Sequence, residues 1–358
     1  MSGFTVEHYG GPETLGPEWD RLFAAGPGPQ TSRAWFTASA ASALPAGAQP
    51  VAIGVRGPDG PAGLLPLVAG PGGRHTSLTT PYTCLYQPLL WPGTARRVAV
   101  ALGRACRAFG LTLLEALDPD WPEFAPFCAG LGDAGLRTRR FEHFANWHEG
   151  VRNGWDRYLQ TRPGVLRETI RRKTRLVERE PGMRLDWVQD PAALGPAMAA
   201  YEAVHARSWK QAEPHPRFNQ ALLETLGPTG MLRIGVLWAG RDPIAAQYWT
   251  VSDGAATVLK LAHDDAWRRF SPGTVLTAHA IRCLIGLEGV RELDFGRGDD
   301  PYKRAWAGER RQRIGLLAAS PWSGRAALSL ARHDAGRLAR RSLGFLQTVK
   351  RRTRGVHQ

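Results

Sequence analysis

The residues of this chain best suited to chemistry lie in the run Trp267-Arg268-Arg269-Phe270-Ser271-Pro272-Gly273-Thr274. A stretch rich in Ala, Thr, Val and Leu, 255–263, precedes it. The apolar run 275–287 follows, with Val275, Leu276, Ala278, Ile281, Leu284 and Ile285 spaced to give a helix one buried face. The local reading is a strand, a tight basic turn and a helix. Pro272 suits a first helical turn, and Gly273 lets a ligand approach the backbone. The unpaired amides of a helix start, set beside two guanidinium groups, favour a phosphate. Arg268, Arg269, Ser271, Gly273 and Thr274 are therefore the candidate cradle for a phosphate-bearing ligand.

Other residues offer chemistry with a plainer alternative beside it. Asp294 ends a short apolar strand, and Asp299, Tyr302 and Lys303 follow in a glycine-rich acidic loop. Such groups can orient an acceptor, move a proton or hold negative charge; a turn cap, a core tyrosine and a solvated lysine are the structural alternatives. Gln247 in a predicted strand reads as a substrate contact or as an inward residue supporting a sheet. His205 and Trp209, with Arg207 and Lys210, end a predicted helix. They either line an acceptor pocket or follow from the preference of the last helical carbonyls for positive charge. Arg171 lies in 167–180, where six basic and three acidic residues suggest mixed surface pairs or a face turned to an anionic acceptor. His263 ends the strand before the turn. No Ser-His-Asp set, HExxH motif or GKS/GKT after a glycine loop occurs, so ordinary hydrolase, zinc-protease and P-loop readings have no support.

The elements that must position these groups follow from pattern and length. At 358 residues, with 43% apolar content and 13 Trp, the chain can form two globular domains with sizeable cores. No run of eighteen apolar residues predicts a membrane span, and 1–9 lacks the pattern of a signal peptide. Cys84, Cys106, Cys128 and Cys283 form no CxxC pair and no metal spacing with His, which predicts buried thiols in a reducing cytoplasm and no metal. Helices are predicted over 17–25, 34–43, 94–109, 122–130, 155–180, 191–209 and 219–226, besides the one starting at 274. Strands are predicted over 51–55, 62–68, 111–116, 136–141, 185–188, 232–238, 244–251, 255–263, 292–295 and 313–318. The net charge of +14 is concentrated at the end: 325–358 holds nine Arg/Lys against one acid, Asp334. That segment reads as a basic amphipathic helical tail over 323–358, either packed on the body or touching an anionic membrane at its inner face. Nucleic acid ranks lower, because the tail has one aromatic residue and no recognisable binding module.

Two hairpin-like stretches resemble each other, VAIGVRGPDGPAGLLPLV and LRIGVLWAGRDPIAAQYW, and each precedes a strand, a helix and a short strand. This predicts two copies of one α/β unit joined near 149–153, hence an α/β (α+β) fold of two tandem units. Only the second copy has the basic turn; the matching first-copy stretch, 86–94, has none.

Four segments carry a family resemblance: Leu166-Arg167-Glu168-Thr169-Ile170-Arg171-Arg172-Lys173, Pro243-Ile244-Ala245-Ala246-Gln247, Phe270-Ser271-Pro272-Gly273-Thr274, and Leu293-Asp294-Phe295-Gly296-Arg297-Gly298-Asp299 with Tyr302-Lys303. Over 155–317 the chain resembles the acetyltransferase branch associated with the cellulose-biosynthesis protein CelD. That branch lies within the GNAT superfamily and is akin to FemAB-like peptidyl transferases. The resemblance implies mixed central sheets flanked by helices: a divergent GNAT-like domain over 1–150, a GNAT acyltransferase domain over 151–322, and the tail. It implies acyl transfer from acetyl-CoA or another acyl-CoA to an amine or hydroxyl, in a ternary complex and without metal. The basic turn would grip the CoA pyrophosphate, although Pro272 stands where the usual turn has a second glycine. Asp294, Tyr302 and Lys303 become the catalytic candidates, with Arg171, His205, Trp209, Gln247 and Asp299 on the acceptor. A sugar or other cell-envelope or exopolysaccharide precursor is the implied acceptor, and a cytoplasmic location follows. Two rivals remain: a FemAB-like transferase using aminoacyl-tRNA, and a non-catalytic GNAT-fold interaction protein.

Overall fold

The computed structural model describes residues 3–335. The strands are β1 (Thr5–Tyr9), β2 (Gln49–Gly57), β3 (Gly60–Gly70), β4 (Arg74–Ser77), β5 (Leu89–Leu90), β6 (Leu111–Leu117), β7 (Arg137–Gly150), β8 (Met183–Val188), β9 (Leu232–Ala239), β10 (Asp242–Ser252), β11 (Ala255–His263), β12 (Glu292–Arg297) and β13 (Glu309–Ala319). The helices are α1 (Asp20–Ala24), α2 (Arg33–Ser42), α3 (Ala95–Cys106), α4 (Phe124–Asp133), α5 (Gly154–Gln160), α6 (Gly164–Arg179), α7 (Pro191–Arg207), α8 (Phe218–Leu226), α9 (Pro272–Gly286) and α10 (Pro301–Trp306).

Both hairpin expectations correspond to real hairpins. β2 meets β3 across Gly57 and Gly60, and β9 meets β10 across Ala239 and Asp242, where Gly240 takes a positive φ of 61° that a side chain would resist. After each hairpin comes a third strand, a helix and a strand parallel to the third: β4, α3, β6 in the first half and β11, α9, β12 in the second. The chain is thus a mixed α/β structure built on one unit used twice.

The strands join one sheet in the order β1-β2-β3-β4-β6-β13-β7-β12-β11-β10-β9-β8. Its centre is an exchange. β7, from the first half, lies against β12 of the second, while β13, from the end of the second, lies against β6 of the first. β7 and β13 then pair with each other from Arg137↔Ala319 to His148↔Glu309. Polar groups fasten this seam: the Asp294 carboxylate accepts from Asn146 Nδ2 (2.6 Å), from the Gly296 amide (2.7 Å) and from the Arg311 guanidinium, which also holds Glu292 (2.9 Å). Apolar packing crosses the halves as well, with Trp35 of α2 edge-on to Phe218 of α8 at 5.6 Å.

Some expectations need correction. The helix predicted over 155–180 is two helices, because Pro163 removes a donor and interrupts the ladder between α5 and α6. The strand predicted over 136–141 continues to Gly150, β1 had no prediction, and the strand expected after the first hairpin, for which no bounds were readable, is β4. The tail falls largely outside the described residues: 324–335 is helical and sets Ala326 and Leu330 against Leu111, Leu317 and Ala319. Among the described residues no helix is long and apolar enough to cross a membrane.

Candidate functional site

The site begins where two parallel strands part. β11 and β12 pair only over Ala255–Thr257 with Glu292–Asp294. Beyond that point β12 turns at Gly296 (φ 71°), and β11 runs on to His263 held on its other side by β10. The fork leaves the edge of 258–263 unpaired and opens a cleft of about 780 Å³. Its lining comes from both faces of the sheet: Gln247, Thr277 and Tyr302 on the α9 face, and Tyr82, Lys210 and Lys260 on the face covered by α7 and α8. The cleft therefore passes through the gap in the sheet.

The far end of the cleft is the start of α9. Asp264 caps the short turn before it by accepting from the Ala266 amide (3.0 Å), and buried Phe270 anchors that turn in the core. Ser271 adopts a left-handed conformation (φ 51°, ψ 55°), which swings the chain into the helix; its carbonyl accepts from Thr274 (3.0 Å) and Val275 (3.1 Å). With no N–H on Pro272, the Gly273 amide is the first-turn donor left to an anion. Gly273 packs close: a Cβ there would sit 3.2 Å from His263 Nδ1, so a side chain would have to push the imidazole aside. Arg268, Ser271, Gly273 and Thr274 all line the cleft.

Arg269 does not. Its guanidinium pairs with Glu180 (3.2 Å) and lies 4.5 Å over the Phe270 ring, while its carbonyl accepts from Lys173. Neighbours on a tight helical turn point about 120° apart, so one of two adjacent arginines faces the ligand and the other fastens the turn to α6.

The remaining candidates divide by position. Gln247, fully buried, donates to the Leu276 carbonyl (3.0 Å) and accepts from Thr277 Oγ1 (3.3 Å), which in turn contacts Tyr302 Oη (2.7 Å). Tyr302 is 38% exposed as a residue, and desolvation of its hydroxyl against Thr277 raises the phenol above its ordinary pKa, so it is a proton-bearing donor throughout the neutral range. Lys303 lines the fork, donating to the Arg297 carbonyl and pairing with Asp300 (3.3 Å). Trp209 lines the cleft and is 71% exposed. Asp294 is placed otherwise: it belongs to the seam between the halves, where three donors occupy its carboxylate. Asp299 lies outside the cleft, bound by Trp147 Nε1 (2.9 Å), Arg304 (3.1 Å) and Arg310 (3.5 Å). Arg171 pairs with Glu168 (2.7 Å) on the outer face of α6. His205 stands behind the cleft wall, 3.5 Å from Glu213.

Several lining residues have no forerunner among the sequence candidates. Lys260, 8% exposed, is held by Glu213 (2.8 Å) and Asn219 Oδ1 (2.9 Å) and lies 4.0 Å over the Tyr82 ring. Burial lowers its pKa to about 8. Burial works against the Glu213 carboxylate, yet the Lys260 and Tyr82 hydrogen bonds hold it below its usual range. A lone lysine inside the otherwise apolar run of β11 was the available signal; a bulge between Val258 and Lys260 turns Lys260 and Ala262 to the face opposite Ala256 and Val258. Tyr82 and Cys84 come from an irregular first-half segment with no periodic signal; burial pushes the Cys84 thiol up to about 11.

That same segment explains the fate of the first fork. β4 pairs with β6 only at His75↔Thr112 and Thr76↔Leu113. Past these, Tyr86 fills the gap: its amide donates to Ala116 (2.9 Å), its hydroxyl to Pro66 (2.7 Å), and it is fully buried. One stretch thus closes the first fork and, through Pro81, Tyr82 and Cys84, walls the second.

Known proteins are similar to this chain in part of its sequence and in its fold. Residues 165–304 match the family model of the acetyltransferase (GNAT) domain. Among solved structures the fold is similar to that of FemX (TM-score 0.59, 10% identity, covering 88% of this chain and 96% of that one). A tandem GNAT protein from the clavulanic acid biosynthesis pathway aligns with a TM-score of 0.49 at 17% identity, covering 89% of this chain and 99% of its own. The C-terminal domain of a putative lysylphosphatidylglycerol synthetase from Agrobacterium fabrum gives 0.49 at 14%, covering 77% and 85%. No curated protein matches the sequence significantly. The matched stretch, 165–304, contains both the fork and the helix start that bound the cleft.

Proposed function

We propose that the protein transfers an acyl group from acyl-CoA to an amine or hydroxyl, by direct attack in a ternary complex. The observation that carries this reading is the spacing along β11. Gly273 abuts His263 at one end of the open edge, and Gly296 abuts the Val258 carbonyl at the other, with a built Cβ at 3.1 Å. Five residues of strand separate the ends by about 16 Å. An extended pantetheine arm has a similar reach, and its two amides suit an unpaired strand edge. With the pyrophosphate on Gly273, Ser271, Thr274 and Arg268, the thioester arrives at the fork.

There the acceptor's lone pair attacks the thioester carbon. The new C–N or C–O bond forms as the C–S bond breaks, the sulfur leaves as thiolate, and the acceptor's proton passes to solvent. Tyr302, held protonated, donates a hydrogen bond to the departing sulfur, and the Lys303 ammonium stabilises the growing negative charge. The acceptor enters from the face opposite α9, past Trp209 and Lys210. A sugar or other cell-envelope precursor as acceptor, the CelD-like type, and a division into a divergent unit over 1–150 and an acyltransferase unit over 151–322 belong to this proposal through the sequence resemblance. Calorimetry with CoA and acetyl-CoA tests it: one site with CoA affinity is expected. Binding of tRNA without binding of CoA would favour an aminoacyl-tRNA donor instead.

A further inference from the structure

Deepening that reading, we infer that the acceptor carries an anionic group, a phosphate or a carboxylate, that docks at the fork on Arg297 with help from Lys210. Arg297 lines the cleft at the end opposite the helix start. Its guanidinium reaches only long contacts: the Thr80 carbonyl (3.2 Å), the Thr83 carbonyl (3.5 Å) and His143 Nε2 (3.4 Å), besides lying 4.3 Å over the Phe144 ring. Among the described residues no carboxylate forms an ion pair with it. Lys210 adds a second positive charge from the exposed rim of the cleft: its ammonium donates to the Leu261 carbonyl, and among the described residues no carboxylate lies within ion-pair distance, Glu213 and Asp300 acting on it from farther off. Lys260 and Lys303, by contrast, are matched by Glu213 and Asp300.

A half-buried guanidinium with no carboxylate in contact is costly, and burial lowers the Arg297 pKa although Glu115, beyond ion-pair distance, opposes the effect. Something else must offset that cost when the site is full. The carrier cannot do so at Arg297. Its pyrophosphate sits about 16 Å away along β11, its remaining phosphate lies on the adenosine beyond the pyrophosphate, and only the neutral pantetheine arm points to the fork. The anion that meets Arg297 must therefore arrive with the acceptor. The first half takes part directly, because Thr80 and Thr83 position the guanidinium from the segment that also supplies Tyr82 and Cys84.

The test uses the full-length protein, acetyl-CoA and a thiol reagent that reports CoA release. The acceptor probes are matched amines: ethanolamine, O-phosphoethanolamine and β-alanine, then glucosamine and glucosamine 6-phosphate. Binding of each anionic probe to the CoA-loaded protein is measured by calorimetry in parallel. At least one anionic member should exceed its neutral partner roughly tenfold in kcat/KM or affinity, the size of one charge-assisted contact. The phosphate and carboxylate arms decide which anion it is. Arg297→Gln should erase that preference, Arg297→Lys should restore part of it, and both should bind CoA within about twofold of wild type, since the carrier's phosphates lie at the other end. Neutral and anionic members performing alike, Arg297→Gln affecting both equally, or no binding of any anionic probe would overturn the inference. If wild type fails to bind CoA, the carrier reading falls by itself. The same probes titrated into the unloaded protein and Arg297→Gln then decide the anion site alone.

Discussion

The adjacent arginines of the helix-start turn give the sharpest test of the carrier site, because the structure assigns them opposite roles. Arg268 faces the cleft, while Arg269 is tied to Glu180 and stacked on Phe270. Arg268→Ala removes a charge-assisted phosphate contact worth about 1.5–3 kcal/mol when well shielded. Arg268 is solvent-exposed, so the lower end applies, a loss of roughly tenfold in CoA affinity. Arg269→Ala removes an exposed pair and a ring contact, worth about 0.2–1 kcal/mol of stability, and should leave CoA affinity within threefold. Gly273→Val adds bulk where even a Cβ lies 3.2 Å from His263, crowding the one amide free to meet the phosphate. Its cost approaches the full contact, about 10- to 100-fold in affinity. Thermal unfolding monitors the fold, and calorimetry with CoA gives the constants. If Arg269→Ala weakens CoA as much as Arg268→Ala, or if Gly273→Val binds like wild type, the pyrophosphate is not at this turn.

Tyr302→Phe should lower kcat by about a hundredfold without changing CoA affinity, as loss of a leaving-group donor does; an unchanged kcat would remove Tyr302 from the chemistry. Lys260 should titrate near 8 in lysine-methyl NMR, and Glu213→Gln should move it lower, since the carboxylate opposes the effect of burial. The sign for stability follows. Between about 8 and the unfolded lysine value of ~10.4 the unfolded chain binds the extra proton, so wild type should gain stability relative to Lys260→Met as pH rises through that window. A loss over the same range in denaturant titrations would refute the assignment. Asp294→Ala removes the buried carboxylate shared by Arg311 and Asn146 at the seam, leaving them Glu292 and the Gly296 carbonyl, and should cost about 1–3 kcal/mol in urea unfolding; no measurable cost would mean that the network does not hold the strands.

The helix-start turn, the two hairpins and the use of one unit twice were legible in the sequence because each rests on local signals: proline and glycine punctuation, and apolar periodicity over a few residues. Gln247, Tyr302 and Lys303 were legible as chemistry-bearing types, and the fork brings all three to one cleft. Asp294 and Asp299 were not distinguishable from site residues, since a carboxylate at a strand end looks the same whether it faces a cleft or Arg311 across a seam. His205 and Arg171 likewise sit on helices whose faces only tertiary packing decides. Tyr82 and Cys84 escaped notice because irregular segments carry no period, and they reach the site from the other half of the chain.

The exchange of β7 and β13 has no local signature either, yet it governs how the site works. A strand handed from each half to the other makes β12, which forms one side of the fork, depend on β7 for its second edge. Residues 151–322 alone would lack β7 and β6, exposing the edges of β12 and β13 together with Asp294 and Arg311 stripped of Asn146. Such a fragment is expected to aggregate on its own and to become soluble on co-expression with 1–150. A soluble, CoA-binding fragment would show that the seam is dispensable. The first half has its own fork filled by Tyr86, so what it gives the shared site is support: a strand for β12, the carbonyls that aim Arg297, and the ring that covers Lys260. A unit that has given up one cleft can in this way specialise the wall of the other.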